Sequence, residues 1–377
     1  MKEGWEVKKL GEVCNIIGGG TPSKTNQSFY IGGNIPWATV RDMGFDILEK
    51  TEYSITEEAI KKSSTNIIPK GNVIIASRVG LGKVCILQND TAINQDLRGV
   101  LPINKKLTSK YLFYWFKNIG DHIVRSGKGA TVHGVNLPFL KSLLIPIPTL
   151  SEQQRIGEIL DTTFAKIDAA KQNAERNLNN AKELFQSVLN FELSLKEGWE
   201  EKKLPQISEN LDSKRIPITQ NKRTKGQYPY YGASGIVDYV SDYIFDEDLL
   251  LISEDGANLL ARTYPIAFSV NGKIWVNNHA HVVRFENIHT QRFIEYYFAS
   301  IKLDDYVTGM AQPKLNQNAL NSISVPFPPL SEQQQIVAKL DALSERCKEL
   351  EKNYLQTISD CDELKKAILT KAFNGEL

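Results

Sequence analysis

The stretch Leu150-Ser151-Glu152-Gln153-Gln154 decides how this chain is organised, because the same five residues return as Leu330-Ser331-Glu332-Gln333-Gln334. A second repeat precedes each of them: residues 2–10 read KEGWEVKKL and residues 196–204 read KEGWEEKKL. Similarity that returns at matching places in one chain indicates an internal duplication. The sequence therefore predicts two related halves whose flanks agree and whose middle blocks have diverged.

Each of the two boxes predicts the start of a long helix. Prolines just before each box hold the chain extended, and Ser151 and Ser331 are the expected N-caps. Gln154 and Gln334, three residues further on, complete the predicted capping boxes.

After each box, apolar or small side chains recur at spacings of three and four residues, the seam of a coiled coil with one stutter. A helix cannot bury such a narrow stripe alone, so we expect the two helices to pair. An antiparallel pair with a pseudo-twofold axis places the two blocks symmetrically. The seam positions are Ile156, Leu160, Thr163, Ile167, Ala170, Ala174, Leu178, Ala181, Phe185 and Val188, then Ile336, Leu340, Leu343, Cys347, Leu350, Tyr354, Ile358, Cys361, Lys365 and Ile368.

The blocks between the repeats are predicted to be mixed α/β. Short apolar or β-branched runs bounded by Gly, Asn and Asp predict strands, and two aromatic-rich segments predict helices. The strands are expected at residues 71–76, 83–87, 249–253 and 273–276, and the helices at 110–118 and 291–300. The expected domain division is a first globular block at 1–150, a long helix at 151–195, a second block at 196–330 and a second long helix at 331–377.

Composition indicates a globular protein. The chain has 377 residues, of which 41% are hydrophobic and 24% charged, enough apolar residues for two or three cores. No apolar run approaches the ~18 residues of a membrane span, and the N-terminus lacks the apolar core of a secretory signal, so we expect a cytoplasmic protein. The 4 cysteines form no CxxC pair, which argues for reduced thiols and against a zinc site.

Positive charge is concentrated in the first block. The whole chain has a net charge of +1, yet residues 1–146 carry 19 Lys and Arg against 12 Asp and Glu, a net of +7. Residues 212–225 form a second local basic run, containing Lys214, Arg215, Lys222, Arg223 and Lys225. A solvated loop and a phosphate-binding surface both remain open for that run.

The motifs of the common catalytic sites are absent. Residues 18–25 resemble a phosphate-binding loop, but Ser23 stands where a Gly must precede the Lys. Residues 34–37 read Asn-Ile-Pro-Trp, one residue away from an amino-methyltransferase pocket, without a glycine-rich S-adenosylmethionine loop. No Pro-Asp nuclease start occurs, and His279 and His281 lack an evident third metal ligand. We expect neither a catalytic site nor a metal.

Nucleic-acid contact is better supported by the residue types. Polar and cationic side chains surround a flexible glycine-rich loop near Trp37, and such side chains reach phosphates and base edges. Both blocks contain Gly-Lys (residues 82–83 and 272–273) followed by an amide-rich segment (94–95 and 277–278), where buried turn amides are the alternative. The candidate DNA contacts are Thr21, Ser23, Lys24, Asn26, Arg41, Arg78, Lys83, Lys128, Lys222, Arg223, Lys225, Tyr231, Ser234, Asn278, His279 and Lys314.

The paired boxes, the Gly-Trp-Glu repeats and the segments at residues 21–23, 35–37 and 228–235 resemble the specificity subunit of type I restriction-modification enzymes along the whole chain. The resemblance implies two target recognition domains, each reading half of a bipartite double-stranded DNA site, with the helices as spacer. It implies a non-catalytic chain without a cofactor that holds two modification subunits, which methylate adenine with S-adenosylmethionine. Restriction subunits, up to two, would use ATP and Mg²⁺.

Three alternatives stay open at this point. The chain could serve a related system that only methylates DNA. It could be a single-chain adenine methyltransferase or methyltransferase-nuclease, which the missing cofactor and nuclease motifs disfavour. It could also be a coiled-coil scaffold without a DNA role, because duplicated flanks alone would support that reading.

Overall fold

The structure is a computed structural model that describes residues 4–127, 134–309 and 312–377. The chain divides into two compact units. Unit 1 comprises Met1–Ala174 together with Gln356–Leu377, and unit 2 comprises Glu175–Leu355. Each unit therefore contains one globular block and parts of both long helices.

Unit 1 contains a two-stranded, a five-stranded and a four-stranded sheet, ordered β1-β11, β2-β10-β7-β8-β4 and β5-β3-β9-β6. Its strands are β1 (Glu6–Lys9), β2 (Cys14–Gly18), β3 (Ile35–Ala38), β4 (Ile47–Leu48), β5 (Tyr53–Ile55), β6 (Asn66–Ile68), β7 (Val73–Ala76), β8 (Val84–Leu87), β9 (Thr91–Ile93), β10 (Leu97–Pro102) and β11 (Leu144–Ile147). Its helices are α1 (Leu10–Val13), α2 (Glu57–Lys62), α3 (Ser109–Asn118), α4 (Gly120–Ser126), α5 (Leu137–Ser142) and the first part of α6 (Leu150–Glu192).

Unit 2 contains a two-stranded and two four-stranded sheets, ordered β12-β21, β13-β20-β17-β18 and β15-β14-β19-β16. Its strands are β12 (Glu200–Lys203), β13 (Glu209–Asn210), β14 (Lys225–Gly232), β15 (Gly235–Val240), β16 (Phe245–Asp246), β17 (Leu249–Ser253), β18 (Ala267–Val270), β19 (Lys273–Val276), β20 (Ala280–Arg284) and β21 (Ser324–Phe327). Its helices are α7 (Leu204–Ile207), α8 (Asn258–Ala261), α9 (Ile288–Ser300), α10 (Gln317–Ser322) and the first part of α11 (Leu330–Asn374). The mixed α/β prediction is confirmed.

The two blocks share one strand topology although their sequences have diverged. β10 pairs antiparallel with β2 and β7 in unit 1, and β20 pairs antiparallel with β13 and β17 in unit 2. The second sheet of each unit has one parallel pair, β3 with β9 and β14 with β19. Apart from the added strand β4, every strand of block 1 therefore has a counterpart in block 2.

The sequence repeats form the base of each block. β1 pairs antiparallel with β11, and β12 pairs antiparallel with β21, so each repeated N-terminal segment closes on the strand before a long helix. The repeated glycines turn the chain into these strands: Gly4 has φ +88 and Gly198 has φ +85, values that L side chains rarely adopt. The residues that repeat between the two halves are thus the ones that form the two-stranded sheet at the base of each block.

The two long helices pair antiparallel, as predicted. In unit 1, Lys171 contacts Asp362 at 2.7 Å and Asp168 contacts Lys365. The residue numbers therefore rise along α6 while those of their partners fall along α11, as in an antiparallel pair. In unit 2, Glu192 near the end of α6 contacts Lys339 near the start of α11. No helix in the described part of the chain is long and apolar enough to cross a membrane.

Most of the predicted seam positions are buried or partly buried. Ile156 and Leu160 join the core of unit 1, and Ile336 and Leu340 join the core of unit 2. Cys347 and Cys361 are free and buried, and burial raises the pKa of the Cys347 thiol. These cysteines fill the seam, as expected. Ala170 is exposed and therefore stands outside the seam.

The predicted caps at Ser151 and Ser331 are wrong. α6 starts one residue earlier, at Leu150, and the side chain of Thr149 accepts a hydrogen bond from the backbone N–H of Glu152. Ser151 and Ser331 therefore lie inside the first turn. Gln154 donates to Glu158 at 3.0 Å instead of reaching back to a cap, and Gln334 is exposed.

The neighbouring glutamines, Gln153 and Gln333, have the structural role in the boxes. Each is 1% exposed. Gln153 donates to the carbonyls of Lys106 and Pro148 and accepts from the backbone N–H of Thr108. Gln333 donates to the carbonyl of Pro328 and accepts from the hydroxyl of Thr290. Each buried amide therefore joins the start of a long helix to the block before it.

Candidate functional site

The glycine-rich loop of unit 1 is held in place by its neighbours, which corrects the expectation that it is flexible. A Cβ at Gly19 would lie 2.2 Å from the carbonyl oxygens of Ile93 and Asn94, so this position requires glycine. The carbonyl of Gly20 accepts hydrogen bonds from the Trp37 indole N–H and the Thr65 hydroxyl. The loop is packed tightly against the turn after β9. This packing fixes the backbone position from which the following polar residues extend.

An aromatic and polar pocket of about 610 Å³ lies beside this loop. Tyr30 and Tyr53 pack edge-on against Trp37, with ring centroids 6.3 and 6.5 Å away. The pocket is lined by Thr21, Lys24, Tyr30, Trp37, Thr39, Val40, Arg41, Tyr53, Val79, Asn94, Gln95 and Asp96. Rings, amides and cations in this arrangement can contact planar bases and phosphates.

The structure brings several candidates of unit 1 to this pocket. Thr21, Lys24 and Arg41 line it. Lys83 reaches the carbonyl of Val40, another lining residue, at 3.4 Å. Lys24, Arg41 and Lys83 form no ion pair within the residues that the structure describes, so their charges are available to an anion.

The remaining candidates of the first block have local roles or lie outside the described residues. The Asn26 side chain accepts from the backbone N–H of Ser28 and caps a short turn, and the Ser23 and Thr25 hydroxyls lie 2.8 Å apart. Arg78 pairs with Asp96, Nε to Oδ1 at 3.7 Å. Lys128 is not among the described residues.

In unit 2 a second group of candidates meets where β14, β17 and β19 end. The backbone N–H of Asn277, just before Asn278, donates to the carbonyl of Tyr231 at 3.0 Å. His279 Nδ1 lies 2.8 Å from Asp255 Oδ2, and Asp255 forms a β-bridge with Lys314. Asn278, His279 and Lys314 are exposed, so these three side chains share one accessible end of the block.

Two other candidates near this end are engaged in packing. Burial raises the pKa of the Tyr231 phenol, whose ring packs 6.0 Å from that of Phe268. The Ser234 hydroxyl donates to the Tyr264 hydroxyl, 2.9 Å away. These contacts position the turn between β14 and β15.

The basic run lies at the opposite end of β14. Lys225 starts this strand and Gly232 ends it, a separation of roughly 23 Å at 3.3 Å per residue. Arg223 is not free: its guanidinium pairs with Asp238 at 3.1 Å and lies 4.3 Å from the Tyr230 ring centroid. A backbone hydrogen bond from Tyr239 and the nearby Arg223 hold the pKa of the Asp238 carboxyl below its usual value. Lys222 and Lys225 are exposed.

The two Gly-Lys pairs lie at different places in the two blocks. Lys83 immediately precedes β8, whereas Lys273 is the first residue of β19, the counterpart of β9. The amide-rich segments do correspond, because Asn94 and Asn277 both follow the strand of the parallel pair. Both are 7% exposed, and each side-chain oxygen accepts the backbone N–H two residues on. They are buried turn amides.

His281 belongs to a buried charge network that sequence analysis did not identify. Its Nδ1 lies 2.6 Å from Asp212 and its Nε2 lies 2.8 Å from the Leu315 carbonyl, which only accepts. Arg215 contacts Glu254 at 2.7 Å and Asp212 at 3.4 Å. Burial alone would raise the pKa of both carboxyls, but His281 and Arg215 lower each below its usual value.

Ligand atoms of Asp212, Glu254 and His281 lie within 4.8 Å of one another, close enough for a metal ion. The same atoms already have hydrogen-bond or ion-pair partners: Arg215 and Lys314 contact Glu254, and both ring nitrogens of His281 are engaged. The chemistry of this set therefore fits an internal salt-bridge network, which connects β17, β20 and the segment around Lys314.

Sequence analysis missed the acidic partners Asp96 and Asp255 and the bracing residue Arg98. Arg98 donates to the carbonyls of Gln95 and Leu97, which fixes the turn that carries Asp96. Burial and the nearby Arg78 lower the pKa of Arg98. These acidic residues gave no signal, because cationic and amide side chains are the residue types that indicate DNA contact.

Comparisons with known proteins agree with this architecture. A family model described as "Type I restriction modification DNA specificity domain" matches residues 2–177 and 196–360. The MjaIX specificity subunit of Methanocaldococcus jannaschii, a type I restriction enzyme subunit, is 27% identical over 413 aligned positions, covering 99% of this chain and 93% of the relative. The EcoR124I/EcoR124II specificity subunit of Escherichia coli is 39% identical over 168 residues, 43% of this chain and 41% of that protein.

Solved structures show the same fold. A chain from a study of complex assembly and conformational transition in a type I R-M system superposes with a TM-score of 0.81 at 19% identity, covering 100% of this chain and 99% of that one. The HsdS subunit of Thermoanaerobacter tengcongensis has a TM-score of 0.65 at 18% identity, covering 100% and 98%. Since the family model matches both halves, the chain belongs to the type I restriction-modification specificity subunits.

Proposed function

We propose that each unit of this specificity subunit reads one half of a bipartite, asymmetric site in double-stranded DNA. The observation that carries the proposal is that the two blocks have one strand topology but different side chains at their exposed loop ends. A common framework with different surface chemistry is what two independent readers of unlike half-sites require. Lys24, Arg41 and Lys83, which form no ion pair with any residue that the structure describes, would supply phosphate contacts in unit 1.

The chain is a specificity subunit and is not itself an enzyme, in line with the names of its relatives. It acts on DNA within a complex with other restriction-modification subunits. We infer that the complex contains two modification subunits, because the repeated flanks supply two equivalent docking surfaces. Up to two restriction subunits would join them, and these partners would bring S-adenosylmethionine, ATP and Mg²⁺. Such a complex would work in the cytoplasm, where the DNA is.

Exchanging one block tests independent reading. Residues 15–145 are replaced by the first block of another family member, and methylated adenines are mapped across a genome that carries the complete system. One half of the methylated motif should change and the other should persist. Simultaneous change of both halves would contradict the proposal. The native mass of the reconstituted complex measures the subunit ratio, and saturation at one modification subunit per chain would contradict two docking surfaces.

Salt dependence separates a DNA reader from a scaffold that only holds partner subunits. Phosphate contacts release counterions, so the affinity of the complex for DNA should fall steeply as salt rises. Absence of any DNA affinity in the complex with its modification subunits would overturn the proposal.

A further inference from the structure

The loops at the accessible ends of the two blocks have matching backbone hydrogen bonds, which allows a comparison residue by residue. The N–H of Ser77 donates to the carbonyl of Asp96, and that of Glu254 donates to the carbonyl of His279. Likewise, the N–H of Val135 donates to Ser77 and that of Leu315 donates to Glu254. When the two blocks are matched by these hydrogen bonds, Arg78 of unit 1 corresponds to Asp255 of unit 2. Asp96 of unit 1 corresponds to His279 of unit 2.

A carboxylate paired with a nitrogen side chain lies at these two positions in each unit, and the two partners have exchanged places between the units. In unit 1, Arg78 follows β7 and Asp96 precedes β10, with Nε and Oδ1 3.7 Å apart. In unit 2, Asp255 follows β17 and His279 precedes β20, with Oδ2 and Nδ1 2.8 Å apart. The nitrogen side chain therefore stands on the first loop in unit 1 and on the second loop in unit 2, with a carboxylate opposite it in both.

Exposure is divided in the same way within both pairs. The Arg78 and His279 side chains are each 49% exposed, whereas Asp96 and Asp255 are 19% and 17% exposed. In each unit a partly buried carboxylate thus contacts a more exposed nitrogen group. Stability is a weak explanation for retaining such a pair, because ion pairs near the surface contribute at most about 1 kcal/mol.

Each pair leaves hydrogen-bonding atoms that its carboxylate does not engage. Asp96 faces Nε of Arg78, and the terminal guanidinium nitrogens make no hydrogen bond within residues 4–127, 134–309 and 312–377. An ionised carboxylate only accepts, so Nδ1 of His279 carries a proton toward Asp255 and Nε2 is the remaining ring nitrogen. Across that same described part of the chain, Nε2 has no partner.

We infer that Arg78 and His279 are the matched base-reading residues of the two units and that Asp96 and Asp255 are their positioning residues, an inference that rests on the proposed function. Arg78 can donate to two acceptors at once, the pattern that guanine presents at N7 and O6 in the major groove. His279 offers one hydrogen bond, through Nε2. The reading residue therefore lies on the loop after β7 in unit 1 and on the loop before β20 in unit 2, two neighbouring loops at the same end of each block.

Charge distinguishes this role from phosphate binding, which uses the same kind of acceptor oxygen. A carboxylate within 4 Å offsets the charge of Arg78 and would repel a phosphate, but it leaves the donors in place. Lys24, Arg41 and Lys83 have no such carboxylate partner among the described residues and fit phosphates better. The paired residues therefore belong at base edges, where geometry matters more than net charge.

The experiment uses the complex reconstituted with its modification subunits and duplexes that carry the mapped target with single base-pair changes. Affinities are measured at two salt concentrations. In Arg78→Ala, discrimination at one base pair of the unit 1 half-site should fall on the order of 10- to 100-fold, with the salt slope unchanged. His279→Ala should relax one base pair in the other half-site. Asp96→Asn should relax the same base pair as Arg78→Ala.

Two controls separate recognition from folding. Lys62→Ala removes an exposed ion pair with Glu58, 2.7 Å long, in the same unit and should leave discrimination unchanged. The double variant Arg78→Asp with Asp96→Arg restores opposite charges in the orientation of unit 2. It should keep the unfolding temperature of the parent while losing preference for the original base pair, because the guanidinium now starts from the other loop.

Other outcomes overturn the inference. Uniform weakening on all sequences with a salt slope reduced by about 0.9 would assign Arg78 to a phosphate. Unchanged discrimination in Arg78→Ala or His279→Ala, with a parent complex that still selects its target, would make the pairs surface ion pairs only. A parent complex without sequence selectivity would instead overturn the proposed function itself, so the two failures are distinguishable.

Discussion

At the scale of single residues, the repeats are retained where a long helix holds its block. Asp161 accepts a hydrogen bond from the Tyr114 hydroxyl at 2.6 Å and pairs with Lys110. In unit 2, Asp341 contacts Tyr296 at 2.5 Å and Arg292 at 2.6 Å. Together with Gln153 and Gln333, these aspartates form a joint between helix and block in each unit.

The adjacent glutamines of the first box provide a matched test of this joint. Gln153→Ala leaves a buried N–H and two carbonyls without their partner, so the free energy of unfolding should fall by roughly 1–3 kcal/mol. Gln154→Ala changes an exposed side chain bonded only to Glu158 and should alter it by less than about 0.5 kcal/mol. Denaturant unfolding of both variants measures the difference. Equal effects would contradict the buried joint.

The sequence alone identified the box but not the residue that matters in it. Ser followed three positions later by Gln matches the capping-box pattern, so Ser151 was the natural choice. The structure starts the helix earlier because the Thr149 side chain reaches the first turn. Burial of Gln153 depends on Lys106 and Thr108, which are distant in sequence, and no local pattern contains that information.

At the scale of elements, strands and helices with strong local patterns were predictable. The apolar run that ends at Ala76 forms β7, and the aromatic segment that ends at Asn118 forms α3. Both could be predicted because apolar runs and periodicity are patterns of neighbouring residues. The tightness of the glycine-rich loop was not predictable. It follows from the approach of Gly19 to Ile93, a contact set by how β2 and β9 are placed.

The hairpin of β14 and β15 separates two roles within the basic run. Lys222→Ala with Lys225→Ala should weaken binding to all DNA sequences and reduce the salt slope by up to about 1.8, since each lost phosphate contact counts ~0.9. Arg223→Ala should instead lower the thermal stability, because it removes the ion pair with Asp238 and the ring contact with Tyr230. Salt titrations and thermal unfolding of both variants provide the measurements.

The outcome that contradicts this assignment is specific. If Lys222→Ala with Lys225→Ala relaxed a single base pair at an unchanged salt slope, these lysines would lie at base edges and not at phosphates. A salt slope reduced by Arg223→Ala without loss of stability would return Arg223 to the phosphate contacts.

At the scale of the whole molecule, the duplication was evident from the sequence, but the equivalence of the two blocks was not. The flanks carry matching residues, whereas the blocks share strand order through backbone pairing that many sequences satisfy. The reversed pair of Arg78–Asp96 and Asp255–His279 became visible only once the loops were matched by their hydrogen bonds. A sequence comparison of the two halves would place Arg78 against Asp255 and Asp96 against His279, and these residue types are dissimilar.

The long helices lead to a prediction about the DNA spacer. If α6 and α11 set the distance between the recognition blocks, one heptad inserted in both helices should keep the seam in register and lengthen the spacer by ~10 Å. The pairs 168–365 and 171–362 define matching levels, which places the insertions after Ala174 and after Ile358. An insertion in α6 alone is the control and should destabilise the seam.

The methylated motif of the double insertion variant gives the result. DNA rises about 3.4 Å per base pair along each strand, so the gap between the half-sites should grow by about three base pairs. The three added base pairs also rotate one half-site relative to the other by roughly 100°, at about ten base pairs per turn. The paired helices α6 and α11 must accommodate this rotation. Reduced affinity together with a longer gap between the half-sites would therefore still support the hypothesis that α6 and α11 set the spacing. An active complex that methylates the original motif with an unchanged gap would show that α6 and α11 do not set the spacing.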